Sequence, residues 1–593
     1  MPLPREEYER TAKAYAENGY NIPKTADALD LSRSGLQERI TMARRLHPDL
    51  PFPPSVRLDT NALDIEPLQD AVNAIVIHRT QTAAAAALGI SRSALQNRLR
   101  LADQAGVYAT VRGQESATIA ERFELPDDGV KRYILTCAQN NTTLHEPTWR
   151  AFHALAAYYD ANVMVATLTY IHSHEGSSKR GSTKQDKDMW YDPRIEPYVC
   201  DKMVALAPNL IWNGHTNIIP TAVEPLSGWE NYNHRASSIF PHVKVAMRSV
   251  PTVRAEGTKL QYTTGTVTQR NYTQKKAGQR AEFDHVYGAL LVEVTPEGSW
   301  FVRQLNVDGS GGLYDLDIMV TAQGEVTAHN GVTAIQFGDV HAAQLEDDMF
   351  TATWGAGGMV DALKPKYQFM HDLLDFESRG HHSLRDPFKM FELHTKERDS
   401  VRSEIAGVAN VLRQSRRPRC KTVIVQSNHD LHFERWLREG SWKNDPKNAV
   451  IHTKATLAFL EAIERGEPFN ALKWALETYE KNTLKGVEWA DPDEGYLILK
   501  NDSGGIEMGL HGDLGPNGSR GSLRNLSRLG RKVCIGHSHS AGIHNGAYQS
   551  GVKARLNMDY ARGAPSSWTQ SDIVVYPNGK RQIITWWRGR YRA

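Results

Sequence analysis

Apolar positions in the first hundred residues recur with helical spacing, and they do so twice. Leu36 and Ile40 lie one turn apart, as do Leu95 and Leu99. The flanking letters match as well. Ser32-Arg33-Ser34-Gly35-Leu36-Gln37-Glu38-Arg39-Ile40 returns 59 residues later as Ser91-Arg92-Ser93-Ala94-Leu95-Gln96-Asn97-Arg98-Leu99. Ahead of each copy, Ala26, Ala28, Leu29 and Leu31 correspond to Ala85, Ala87, Leu88 and Ile90. Each copy reads as a short Ala-rich helix, a turn at Asp30 or Gly89, and a serine N-cap that opens a second helix. Candidate first helices at 5–18 and 67–78 complete two units, 1–50 and 60–105. Pro51, Pro53 and Pro54 punctuate the linker between them.

From about 131 the helical period gives way to short apolar runs. Tyr133-Ile134-Leu135-Thr136 reads as a strand, 146–159 as a helix and 163–170 as a second strand, a βαβ beginning. Segment 173–192 is polar and rich in Gly, Ser and Lys, which predicts a surface loop. The stretch to 330 is strand-rich, with 250–253, 290–294 and 300–307 as examples, and predicts a mixed α/β domain over 131–330. It carries no chemical motif, and His172 and His174 read as loop histidines. Beyond 331, short apolar strands run into polar loops. Val401, Ile405, Val408 and Leu412 give one intervening helix an apolar face. The chain is expected to be α/β, with all-α units at its N-terminus.

Composition narrows the picture. The 593 residues carry 70 Lys and Arg against 68 Asp and Glu, a formal charge of +2, which excludes a uniformly basic protein. Hydrophobic residues make up 40%, enough for large cores. The four cysteines lie far apart with no CxxC pair, which argues against a disulfide scaffold or a zinc ribbon and for a reducing compartment. The first residues hold no apolar stretch, and no window reaches about 18 apolar residues. The expectation is a multidomain cytoplasmic protein that makes no membrane contact. Local charge matters more than the total. Segment 32–45 places Arg33, Arg39, Arg44 and Arg45 against Glu38, and segment 71–102 places Arg79, Arg92, Arg98 and Arg100 against no acidic residue. Such patches suit phosphate contact. The repeats resemble the Fis-type helix-turn-helix, in which the second helix enters the major groove. That resemblance implies DNA as partner, with Arg33, Arg39, Arg92 and Arg98 as contacts. Small helical bundles used for assembly, including a homo-oligomer, remain the alternative.

The chemistry-bearing loops begin after Thr333-Ala334-Ile335-Gln336-Phe337. This strand leads into Gly338-Asp339-Val340-His341. There follow His371-Asp372-Leu373-Leu374-Asp375, then Ser427-Asn428-His429-Asp430 after the strand Thr422-Val423-Ile424-Val425. Gly509-Leu510-His511-Gly512-Asp513 comes next, and Gly536-His537-Ser538-His539 closes the series after Val533-Cys534-Ile535. Carboxylate, imidazole and amide oxygen together suit divalent manganese, iron or zinc. Two ions about 3.5–4 Å apart, sharing a carboxylate, would stabilise both the entering and leaving oxygens of a phosphoester.

The ordered series DxH, D, NH, H, GHxH resembles the calcineurin-like metallophosphoesterase superfamily over 331–593. The resemblance implies a β-sandwich flanked by helices and a dinuclear site, with two divalent ions, Mn2+ first among them and Mg2+, Fe2+ and Zn2+ compatible. It implies that Asp339, His341 and His539 hold one ion, that Asn428, His511 and His537 hold the other, and that Asp372 bridges. It further implies that His429 faces the substrate phosphate as a catalytic group and that Asp375 orients it. Two positions depart from the family pattern: His371 and Ser427 stand where glycine is usual. The first departure leaves Asp361 and Asp375 open as alternative bridges. Joined to DNA-binding repeats, the site is similar to the nuclease branch, the DNA-break repair exonucleases, and to phage proteins that degrade DNA early in infection. A metal-dependent DNA nuclease is the reading this supports, acting in the host cytoplasm if the chain is phage-encoded. The alternatives are a phosphatase or nucleotide phosphodiesterase with assembly repeats, and a DNA-binding regulator built on a phosphoesterase scaffold. Lys580, Arg581, Arg588, Arg590 and Arg592, interleaved with Trp586, Trp587 and Tyr591, read either as a nucleic-acid patch or as a last strand over 582–587.

Overall fold

The computed structural model describes residues 3–18, 22–52, 65–78, 81–105, 129–170, 189–491, 493–500, 504–558, 561 and 563–593. Pro53, Pro54, Arg79, His172, His174 and most of the expected 173–192 loop lie outside these residues. Contacts divide the chain into two units, Met1–Leu68 and Gln69–Ala593.

The first unit holds α1 (Arg5–Glu17), α2 (Ile22–Ala28) and α3 (Arg33–Leu46). Ser32 caps α3, its Oγ accepting from Gly35 N at 3.1 Å. Tyr15, Ala26, Leu36 and Ile40 form the core of this bundle. The pattern repeats in α4 (Ile65–His78), α5 (Gln81–Ala87) and α6 (Arg92–Ala105). There Ser91 Oγ accepts from Ala94 N at 3.1 Å, and Ala71, Ala84, Ala85 and Leu95 are buried together. The turn residue of each copy lies in the left-handed region: Asp30 at φ 51° and Gly89 at φ 63°. Aspartate and glycine both tolerate that conformation, so the matched letters encode one turn.

In the second unit, β1 (Lys131–Gln139) and β2 (Ala161–Leu168) pair in parallel through α7 (Glu146–Tyr159), the expected βαβ crossover. Five strands follow: β3 (Met203–Ala207), β4 (Leu210–Asn213), β5 (Ser237–Phe240), β6 (Met247–Val250) and β7 (Lys259–Thr263). The strand read at 250–253 in fact ends at Val250, because Pro251 has no N–H to give the ladder. After α8 (Lys276–Phe283), strands β8 (Gly288–Val294) and β9 (Trp300–Asn306) complete a four-stranded sheet in the order β2-β1-β8-β9. A three-stranded meander comprises β10 (Leu313–Asp315), β11 (Ile318–Val320) and β12 (Val326–Ala328).

The remaining strands build two sheets. β13 (Ala334–Gln336), β14 (Tyr367–Met370), β15 (Lys421–Val425) and β16 (Val487–Ala490) are mutually parallel. They join β22 (Ser571–Val575) and β23 (Arg581–Thr585) in the order β16-β15-β14-β13-β22-β23. The short β17 (Leu497–Ile498) and β18 (Ile506–Glu507) lead to β19 (Lys532–Ile535), β20 (Gly542–His544) and β21 (Ala547–Gln549). These five share one ten-stranded sheet with β3–β7, joined where β20 pairs with β6. Strand alternation sets the layers. Ala334, Phe369, Val423 and Ile573 of the six-stranded sheet share a core with Tyr262, Cys534, Ile543 and Tyr548 of the ten-stranded one. Their neighbours Ile335, Met370, Ile424 and Val574 face the other way, against Val401, Ile405, Val408 and Leu412 of the helix Val401–Ser415. The architecture is mixed α/β.

The C-terminal segment belongs mostly to this core. Arg581 is buried on β23, where it donates to Val533 O at 2.9 Å and Gly546 O at 2.7 Å, with its guanidinium 4.1 Å from the Tyr548 ring centroid. Trp586 is 3% exposed, and only Trp587, Arg588, Arg590 and Arg592 stay open to solvent. Among the described residues, no helix is long and apolar enough to cross a membrane.

Candidate metal centre

Five loops carry the chemistry, and each leaves the C-terminal end of a strand, where open sheets place ligands. β13 delivers Asp339 and His341, β14 delivers His371 and Asp372, and β15 delivers Asn428, His429 and Asp430. From the other sheet, β18 delivers His511 and β19 delivers His537 and His539. Close approach demands glycine beside the ligands: a Cβ on Gly536 would stand 2.3 Å from Asp339 Oδ1, and one on Gly338 would stand 2.6 Å from the Val552 carbonyl carbon. Four of these side chains sit on left-handed backbone: His341 at φ 45°, Asp372 at 45°, His537 at 74° and His539 at 58°. Aspartate tolerates that conformation, but for the three histidines each such position costs about 1–3 kcal/mol, strain that gathers at functional sites.

The side chains converge. His341 Nε2 lies 3.1 Å from His539 Nε2 and 3.7 Å from Asp372 Oδ2, and His539 Nε2 lies 3.2 Å from Asp339 Oδ2. One ligand atom from each of Asp339, His341, Asp372 and His539 falls within 4.8 Å of the other three. Beside them, Asn428 Oδ1 is 3.0 Å from His511 Nε2 and 3.1 Å from His537 Nδ1. His511 Nε2 also stands 3.5 Å from Asp372 Oδ1. Asp372 thus stands between the two clusters, 3.7 Å from His341 and 3.5 Å from His511. The donor set fits a divalent cation on three counts. Asp339 Oδ1 and Asp372 Oδ1 are buried carboxylate oxygens that make no hydrogen bond, a costly state unless a cation meets them. His341 Nε2 and His539 Nε2, 3.1 Å apart, stand close enough to serve one ion together. The histidines are also poised as bases: burial pushes His539 down to about 4 and holds His511 well below its ordinary value. Burial and the neighbouring Asp372 push the Asp339 carboxyl well above its usual range. For Asp372 burial acts in the same direction, but His511, His429 and His341 outweigh it and hold that carboxylate well below.

Asp375 sits one layer out, its Oδ1 3.1 Å from His341 Nδ1 and 3.5 Å from His429 Nδ1. Burial opposes the charge on His429, yet Asp372 and Asp375 prevail and raise it to about 10. Asp361, the other alternative bridge, lies elsewhere in an ion pair with Arg417. His371 and Ser427, at positions where glycine was expected, have visible work. His371 is buried with Nδ1 3.3 Å from His511 Nδ1, so one ring holds the other. Ser427 Oγ donates to Asp430 Oδ2 at 2.9 Å, while Leu374 N donates to Asp430 Oδ1 at 3.0 Å, which ties the β14 and β15 loops together. Burial, with Asp372 nearby, pushes Asp430 up to about 7. His371 and Asp430 stood inside the recognised motifs, and only their burial marks them as supports. Beneath the site, the buried Lys553 pairs with Asp572 at 2.6 Å, and Lys553 N donates to Asp339 O at 2.8 Å.

Asn428, His429, His537 and His539 open onto a cleft of about 820 Å³ whose wall includes Arg520 and Trp568. Neither of these last two carries a signal in the sequence. Among the repeat arginines, Arg33 and Arg92 are exposed, and Arg92 Nε donates to Gln81 Oε1 at 3.2 Å. Arg98 is half-buried. Arg39 is half-buried against Glu7 at 3.2 Å, which takes up its charge within the bundle.

No family model matches the chain. It is 37% identical to Protein A1 of Escherichia phage T5 over 495 residues, 81% of this chain and 86% of the phage T5 protein. At that identity and coverage the chain belongs to the same family as phage T5 Protein A1.

Proposed function

We propose that this protein is a metal-dependent DNA nuclease with a calcineurin-like metallophosphoesterase fold over 331–593. The observation that carries the reading is the convergence of five strand-end loops on two adjoining ligand sets that share Asp372. Asp339, His341 and His539 would hold one divalent ion, Asn428, His511 and His537 the other, with manganese the best match to an oxygen and nitrogen set without thiolate. Two such ions supply Lewis acidity toward a phosphodiester and stabilise charge on its entering and leaving oxygens. His429, at the cleft, would donate a proton to the leaving oxygen or offset charge on the phosphate. Asp375 keeps the His429 ring in place and favours its protonated form. The helical repeats support DNA as the substrate, with Arg33 and Arg92 available to phosphates. Kinship with a phage T5 protein fits action in the cytoplasm of an infected host.

The test is cleavage by the purified chain with manganese on plasmid, single-stranded DNA and p-nitrophenyl phosphate. Hydrolysis of DNA that chelation abolishes is the expected result. Hydrolysis of the monoester alone would replace this reading with a phosphatase whose repeats serve assembly, and DNA binding without any hydrolysis would replace it with a regulator.

A further inference from the structure

A second hollow of about 430 Å³ adjoins the cleft beside the metal centre, and Arg524 lines both. The shared wall is the segment between β18 and β19, pinned by buried Leu526. Arg520, Arg524 and Arg528 recur along it at four-residue intervals, all exposed. On the far side of the second hollow, the last turns of α8 contribute Arg280 and Phe283. Phe283 is 89% exposed. At the near end, the Trp568 ring stands edge-on against His539, centroids 4.5 Å apart, and packs on the cluster of Val552, Ala554 and Met558. The carboxylates nearby are already paired: Glu224 with Arg524 at 2.8 Å, and Asp284 with Lys244 at 2.7 Å and Arg280 at 3.8 Å. Among the described residues, Arg520 and Arg528 form no ion pair. With Arg524 and Arg280 engaged by Glu224 and Asp284, the surplus positive charge between the two aromatic rings is that of Arg520 and Arg528.

We infer that this surface is a track for single-stranded DNA, with Trp568 stacking the base next to the cleaved phosphate and Phe283 stacking one farther along. Arg520 and Arg528 hold the intervening phosphates. Aromatic faces alternating with cations suit an unpaired strand, because stacking needs a base freed from its partner, and it tolerates every sequence because every base has a flat face. The inference rests on the nuclease reading and adds the strand state of the substrate to it.

The test is fluorescence anisotropy of the full chain in chelator, where no cleavage occurs, with labelled oligo(dT), an abasic oligomer of equal length and a blunt duplex. Trp568→Ala and Phe283→Ala should each weaken oligo(dT) binding by roughly five- to a hundredfold and narrow the gap between oligo(dT) and the abasic oligomer. Trp568→Phe should recover most of the loss, which separates stacking from damage to His539. Arg520→Ala or Arg528→Ala should weaken both single strands and lower the salt slope by about 0.7. Unchanged oligo(dT) affinity in both aromatic variants, or equal losses on oligo(dT) and the abasic oligomer, would overturn the track. Track-dependent binding by a protein that cleaves no DNA with manganese would keep the track and overturn the nuclease reading instead.

Discussion

The helical repeats and the metal centre place left-handed residues to opposite ends. In the repeats the residue is Asp30 or Gly89, types that adopt this backbone at low cost, and it serves only to turn the chain. In the metal centre tolerant Asp372 is joined by His341, His537 and His539, whose larger side chains make the backbone more expensive. A turn accepts any tolerant residue, whereas a site accepts strain to aim one particular imidazole. The partners differ in reach as well. Ser32 caps a helix three residues on, while His341 meets His539 across 198 residues.

If the side chains aimed by this backbone are ligands, their loss should exceed anything done to the repeats. Asp372→Ala should release metal and take DNA cleavage to background, with metal content read by inductively coupled plasma mass spectrometry; full occupancy in this variant would end the bridging assignment. His429→Ala should lower kcat by about a hundred- to ten-thousandfold with both ions retained. Ions lost from that variant would move His429 into the ligand set. Lys553→Ala should leave Asp572 buried beside a missing cation and cost about 3–5 kcal/mol in urea unfolding. A cost below 1 kcal/mol would show that the Gly338 N and Trp586 Nε1 donors to Asp572 are enough. In the repeats, Arg33→Ala and Arg92→Ala should each lower the salt slope of duplex binding by about 0.9, with an unchanged slope favouring assembly modules. The smallest effect should come from Ser32→Ala, about 0.5–2 kcal/mol of stability in the first unit, read by thermal melting.

What the sequence made legible follows the same division. Contiguous patterns carried the repeats, the βαβ crossover and the strand-plus-loop units that present Asp339, Asn428 and His537, because each needs only neighbours along the chain. The sheet that joins β3–β7 to β17–β21 had no such signature, since pairing across hundreds of residues leaves no local period. Arg39 and Arg581 looked like surface cations, yet one meets Glu7 and the other carbonyl groups, partners that appear only once the chain is folded. His371 broke the expected motif because its size is used to hold His511. Trp568 and Arg520 reach the cleft from loops without any motif.

The separation of the ligands along the chain also sets a clock. Asp339 is translated 200 residues before His539, a delay of about 10–40 s at usual elongation rates. During that interval the nascent protein displays repeats able to fold from neighbouring residues, but holds an incomplete ligand set. On the proposed reading, the emerging polypeptide can engage DNA well before it can cut it, and cleavage is withheld until the strands around His537 and His539 have left the ribosome.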